Sequence, residues 1–213
     1  MSRMKNLTTT SYAILSWLAV KSWPTYELAR QMRRNLRFFW PRAESNLYAE
    51  PKSLIEHGLA KVAVSYSGKR RRTTYSITPK GRKALAAWLK QSSRDPVLEF
   101  EALVRIFFAA YGTKEDMLKT LKNASYWSDQ IQAQGTIVAT EYLAGRYQFP
   151  ERMHLSGIVF DFLWHYAELL REWEARTRKE VETWKDVSAE GKQERALQVF
   201  REALSNREKA LKK

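Results

Sequence analysis

The chain has 213 residues, of which 44% are hydrophobic and 13% aromatic, and its formal net charge is +14. That apolar content suffices for a packed core and excludes global disorder. The lack of cysteine excludes disulfides and thiolate metal sites, and three scattered histidines (His57, His154, His165) offer a metal few ligands, so no metal and no cofactor is expected.

The charge is placed unevenly. Residues 1–95 hold 19 Lys and Arg against 5 Asp and Glu, whereas residues 96–213 hold 18 against 18. One half is suited to a polyanion, and the other to protein. The basic start Met1–Asn6 runs into Thr8-Thr9-Thr10-Ser11, and the apolar stretch that follows is cut by Ser16 and Lys21, so no secretory signal is expected. Arg105 breaks one later apolar run, and Asp161, His165 and Glu168 break another. No segment reaches about 18 uninterrupted apolar residues, and a cytoplasmic protein is the expectation.

In chain order, the threonine cluster can cap a first helix with Tyr12, Ile14, Leu15, Leu18 and Ala19 as its apolar positions. Trp23-Pro24 ends it. A second helix follows from about Thr25, with Leu28, Met32 and Leu36 spaced by four. After Phe38-Phe39-Trp40-Pro41 a third helix is predicted over roughly 42–57, with Gly58 as its C-cap. Two alternating runs, 61–66 and 72–77, flank Ser67-Gly68-Lys69 and read as a β-hairpin with a basic tip, Lys69-Arg70-Arg71-Arg72. Thr78-Pro79 opens a fourth helix to about Gln91, burying Leu85, Trp88 and Leu89. Ser92–Pro96 marks a boundary, giving domains 1–95 and 96–213.

The second half reads as all-helical. A short helix over about 98–111 ends at Gly112. From Met117 the positions Leu121, Ala124, Ser128, Ile131, Gly135, Val138 and Tyr142 recur at steps of four and three, a heptad-like seam with small residues. A long helix over about 152–185 carries two apolar stripes, Val159-Phe162-Tyr166-Leu169-Trp173 and Phe160-Leu163-Ala167-Leu170. Two stripes suggest one face packed within the chain and one against a second copy. A final amphipathic helix carries Leu197, Phe200 and Leu204. The fold class expected is mainly α: an N-terminal winged helix-turn-helix with a two-stranded wing, then an all-helical dimerisation domain.

Several stretches resemble PadR-type transcriptional regulators: 7–15, Tyr26-Glu27-Leu28, Leu47-Tyr48 with Leu54–Leu59, and Arg72–Gly81. The C-terminal half is similar to the helical virulence-activator extension of longer members. The resemblance implies a homodimeric DNA-binding repressor on a pseudo-palindromic operator, relieved by a small aromatic or drug-like effector. The chain departs from the family pattern at Ala43-Glu44 and at Pro51. A proline there removes a backbone bond and clashes with the carbonyl of Leu47, so a kinked or shortened third helix is expected.

With the third helix in the major groove, Arg42, Ser45 and Asn46 fall at the base edges, since Arg matches guanine and Asn adenine by paired bonds. Tyr48 and Lys52 follow at phosphate, and Thr9, in the cluster opening the first helix, joins the expected contacts. The wing run Lys69, Arg70, Arg71 and Arg72 is expected at phosphate or the minor groove, where it sets affinity and salt dependence. The expected dimer interface is Leu121, Ala124, Ile131, Val138, Phe162, Tyr166, Leu169 and Trp173. Eight tryptophans read first as core, and secondly as the wall of an aromatic effector pocket. No Gly-rich phosphate loop, nucleophile elbow or HExxH is present, so an enzyme is not expected. The rival reading is a non-specific architectural nucleic-acid-binding protein, which needs the basic half but no dimer seam.

Overall fold

In the computed structural model the described residues are 6–41, 44–67, 70–188 and 190–211, with backbone alone for 44–46, 67 and 70. The chain divides into two compact units, Met1–Val97 and Leu98–Lys213.

The first unit opens with α1 (Thr9–Val20), whose N-cap is Thr8. Thr8 and Ser11 form a reciprocal capping box, satisfying N–H groups that a helix start otherwise leaves unpaired. Ile14, Leu15 and Leu18 are buried, as their spacing requires. Trp23–Pro24 does more than end this helix. It forms a two-residue strand, β1, and Trp23 lies in the core. Then come α2 (Thr25–Leu36), which buries Leu28 and Met32, and α3 (Glu44–Glu56). The sheet has the order β1-β3-β2, all antiparallel, with β2 spanning Ala60–Ser67 and β3 spanning Arg70–Ile77. The expected two-stranded wing is therefore backed by a third strand that a dipeptide is too short to announce.

α3 includes Pro51 within its span, and the proline ring is fully buried. The apolar contacts of the ring offset the backbone bond it cannot donate. Gly58 follows α3 with φ +70, the left-handed cap that favours glycine. α4 (Pro79–Leu89) is capped by Thr78, whose hydroxyl accepts from the Gly81 N–H at 3.0 Å. A Cβ on Gly81 would lie 2.1 Å from the Leu59 carbonyl oxygen, so only glycine lets α4 start this close to β2. Of the three side chains expected to be buried by α4, Leu85 and Trp88 are half-buried, and Trp88 stacks on Tyr12 with ring centroids 4.9 Å apart. Leu89, at the last turn, is instead 67% exposed.

The second unit begins with α5 (Glu101–Phe107), shorter than expected and followed by a 3₁₀ turn at Ala109–Tyr111. α6 (Lys114–Leu143) starts with a Thr113–Asp116 capping box. α7 (Met153–Glu182) folds back along it, as the pairing of Ser128 with Ala167 and of Gly135 with Trp164 requires. Ser128 Oγ donates to the Ala167 carbonyl at 2.8 Å, and the Gly135 backbone lies under the Trp164 and Phe160 rings. Small residues at the seam thus bring α6 and α7 together. Met117, Leu121 and Val181 form a core at the far end, with Ile106 and Trp173 packed against it. The Lys114 ammonium caps the end of α7 by donating to the carbonyls of Glu182 and Trp184. α8 (Gln193–Leu211) buries no residue.

Candidate nucleic-acid interface

α3 sorts its side chains by face. Leu47, Glu50, Pro51 and Leu54 point into the unit, while Tyr48, Ala49, Lys52 and Glu56 are exposed on the other side. The steps of three and four among the exposed positions are those of one helical stripe. Tyr48 and Lys52 therefore share the outward face. Ser45 and Asn46 lie in the first turn of this helix, and their side chains fall outside the described residues. Arg42 and Lys69 also lie outside them.

The N-terminus of α1 is tied to the same helix. Ser11 Oγ donates to Glu50 Oε2 at 2.5 Å, and Trp40 Nε1, just ahead of α3, donates to Thr10 Oγ1 at 3.1 Å. Thr9, half-buried, is the first residue of α1 and so sits beside this junction.

In the wing, residues directly opposite on paired strands share a face. Arg71 is opposite Tyr66, and Arg72 is opposite Ser65. The cation run is thus split by the strand's alternation, with Arg71 and Arg72 on opposite faces. Arg72 reaches α2, where it pairs with Glu27 at 3.4 Å, and Thr25 Oγ1 donates to the Thr73 carbonyl. An exposed pair of this kind contributes little to stability. Arg70 opens β3, with its side chain outside the described residues. Tyr66 is 71% exposed and shares the face of Arg71. Its signal in the sequence is the alternation of Val62, Val64 and Tyr66, which sends all three to one face of a hairpin. Arg30 and Arg34 on α2 are exposed, as is Arg37 at its C-cap, which lies over the Phe38 ring.

In the second unit, the expected interface residues separate into two groups. Leu121, Ala124 and Ile131 are buried against the chain's own α7, and Val138 is half-buried on the same seam. They are occupied within one copy because α7 folds back over them. Trp173 joins the core of its own unit and meets Phe100 edge to face. Phe162 and Leu169 are 67% and 58% exposed, and Tyr166 is half-buried. Leu155, Ile158, Phe162, His165 and Leu169 recur at steps of three and four, all exposed, on α7. The backbone bond to the Asp161 carbonyl, and then the Asp161 carboxylate, hold the His165 imidazole above its ordinary range. A cleft of ≈ 750 Å³ lies between α5 and α6, lined by Phe100 and Trp127, by Arg105 and Lys119, and by the carboxylates Glu101 and Asp116.

A helix-turn-helix with one polar outward stripe and a basic antiparallel wing defines a winged-helix module. Residues 10–94 match the model of a winged helix DNA-binding domain family. No curated protein matches the chain. Over most of its length the chain has the fold of PadR-like regulators. It superposes on Bacillus subtilis PadR in complex with operator DNA with a TM-score of 0.71 at 17% identity, covering 83% of this chain and 99% of that one. Against the same PadR in complex with p-coumaric acid the TM-score is 0.59 at 18% identity, covering 82% and 99%. Against the Vibrio cholerae virulence activator AphA it is 0.62 at 19% identity, covering 81% and 98%. Among the described residues no helix is long and apolar enough to cross a membrane.

Proposed function

We propose that the protein is a PadR-type transcriptional regulator that binds a pseudo-palindromic operator as a homodimer and represses until a small aromatic molecule releases it. The observation that carries the reading is the joint presence of an outward polar stripe on α3 and a basic wing in a unit that holds the whole net charge. Asn46, Ser45 and Arg42 read base edges, Tyr48 and Lys52 hold phosphate beyond them, and Thr9 adds a contact from the start of α1. Lys69, Arg70 and Arg71 of the wing, with Tyr66, run along the backbone or minor groove, and Arg72, on the strand's other face, leaves Glu27 for phosphate.

Dimerisation uses the faces that one copy leaves open. Phe162 and Leu169 on α7 are the anchors retained from the expected set, and Leu155 and Ile158 extend them. The cleft between α5 and α6 supplies two aromatic walls, Phe100 and Trp127, with Arg105 and Lys119 balanced by Glu101 and Asp116, a fit to a flat aromatic ring. PadR's complex with p-coumaric acid supports an effector of that class. Titrating the protein with a panel of phenolic acids should change its tryptophan fluorescence with saturation, and uniformly flat traces remove the effector from the reading.

Replacing Lys69–Arg72 by alanine tests the DNA contact. Binding to specific and random DNA should fall together, with the salt slope reduced by about one unit for each phosphate no longer neutralised. Unchanged affinity and slope would remove the wing from the interface. Equal affinity of the unaltered protein for its own upstream region and for random DNA would favour an architectural role.

A further inference from the structure

We propose that Glu50 is a positioning residue for DNA recognition, fixing the rotation of α3 on the N-terminus of α1. The inference rests on the DNA-binding reading above and adds a residue that faces away from the DNA.

Glu50 is on the inward face of α3 and only 3% exposed. A carboxylate is costly to bury unless its oxygens are bonded and its charge is met. α1 contributes to both conditions. Ser11 Oγ donates to Glu50 Oε2 at 2.5 Å across a separation of 39 residues. Ser11 is itself fixed by the capping box with Thr8, at the end of α1 where the helix dipole is positive. The first turn of α1 holds no acidic residue of its own. Glu50 thus provides, from another helix, the negative charge that this helix start favours.

Apolar packing by Leu47, Pro51 and Leu54 binds α3 to the unit but tolerates small rotations, because dispersion contacts are many and undirected. A charge-assisted hydrogen bond has a narrow geometry. It lies two residues from both Tyr48 and Lys52, on the opposite side of the helix. A rotation of roughly 20° about the axis would move side chains about 6 Å from it by roughly 2 Å, enough to break a paired base contact. The Trp40–Thr10 bond ties the segment ahead of α3 to the same turn of α1. Among the described contacts, both bonds tie this region to the start of α1, and the Glu50 end of its bond lies within α3 itself.

The test uses the full chain and a DNA sequence enriched by it from a random library. Glu50→Leu should fold, yet its preference for the enriched sequence over random DNA should fall at least about tenfold, with random-DNA affinity falling by less than about threefold. Glu50→Gln, which keeps an acceptor for Ser11, should restore the preference to within about threefold. If Glu50→Leu does not fold by circular dichroism, Ser11→Ala carries the same expectation. A folded Glu50→Leu or Ser11→Ala with the preference intact overturns the role of Glu50 alone. A library from which the unaltered protein enriches nothing overturns sequence-specific binding, and the role of Glu50 with it.

Discussion

Gly81 shows how much a single residue decides. Its missing side chain lets the start of α4 approach the Leu59 carbonyl to a distance no Cβ permits. Gly81→Ala should destabilise the first unit by about 2 kcal/mol or more, as a small-to-large change in a closed site does, lowering its thermal midpoint by roughly 10 °C. An unchanged midpoint in a thermal melt would mean that α4 shifts without cost. The Thr78-Pro79 cap is legible in the sequence because capping chemistry is local. The need for glycine at 81 is not, because the atom it avoids comes from a residue over twenty positions earlier. The buried Glu50 is similar. Its spacing with Leu47 and Leu54 places it inward, but no local pattern names Ser11 as its donor.

Whole helices are legible where one face meets one neighbour. The Tyr12–Ala19 and Leu28–Met32 spacings mark the inward sides of α1 and α2, and the 61–66 and 72–77 alternation marks the hairpin. The α6 seam is also legible as a seam, but its partner is not. Leu121, Ala124 and Ile131 pack on α7 of the same chain, since a heptad pattern reports that a face is covered and not by which copy. The sequence around Pro51 shows its backbone cost alone, while the burial of its ring depends on packing from residues distant in the chain. The open face of α7 carries the element-scale prediction. Phe162→Glu with Leu169→Glu should leave helical content unchanged, because both side chains are exposed. Two charges in an apolar contact should then convert a dimer to a monomer in analytical ultracentrifugation. A dimer that survives the double change would place the interface elsewhere, with the exposed apolar residues of α5 and α8 next in line.

For the molecule as a whole, the division of charge matches the division of structure. The unit ending at Val97 holds the positive balance, and the unit from Leu98 onward is neutral and carries exposed apolar residues along α7 and α8. Two copies of a strongly basic module repel, and a neutral helical partner surface is what can hold them together against that repulsion. On DNA, such a pair would place two α3 helices in successive major grooves. Footprinting of the purified protein across its own genome tests this most directly. The expected result is a small set of protected pseudo-palindromes whose half-sites lie about 34–36 Å apart, or a multiple of that. Protection spread evenly over unrelated sequence, with no paired half-sites, would contradict it.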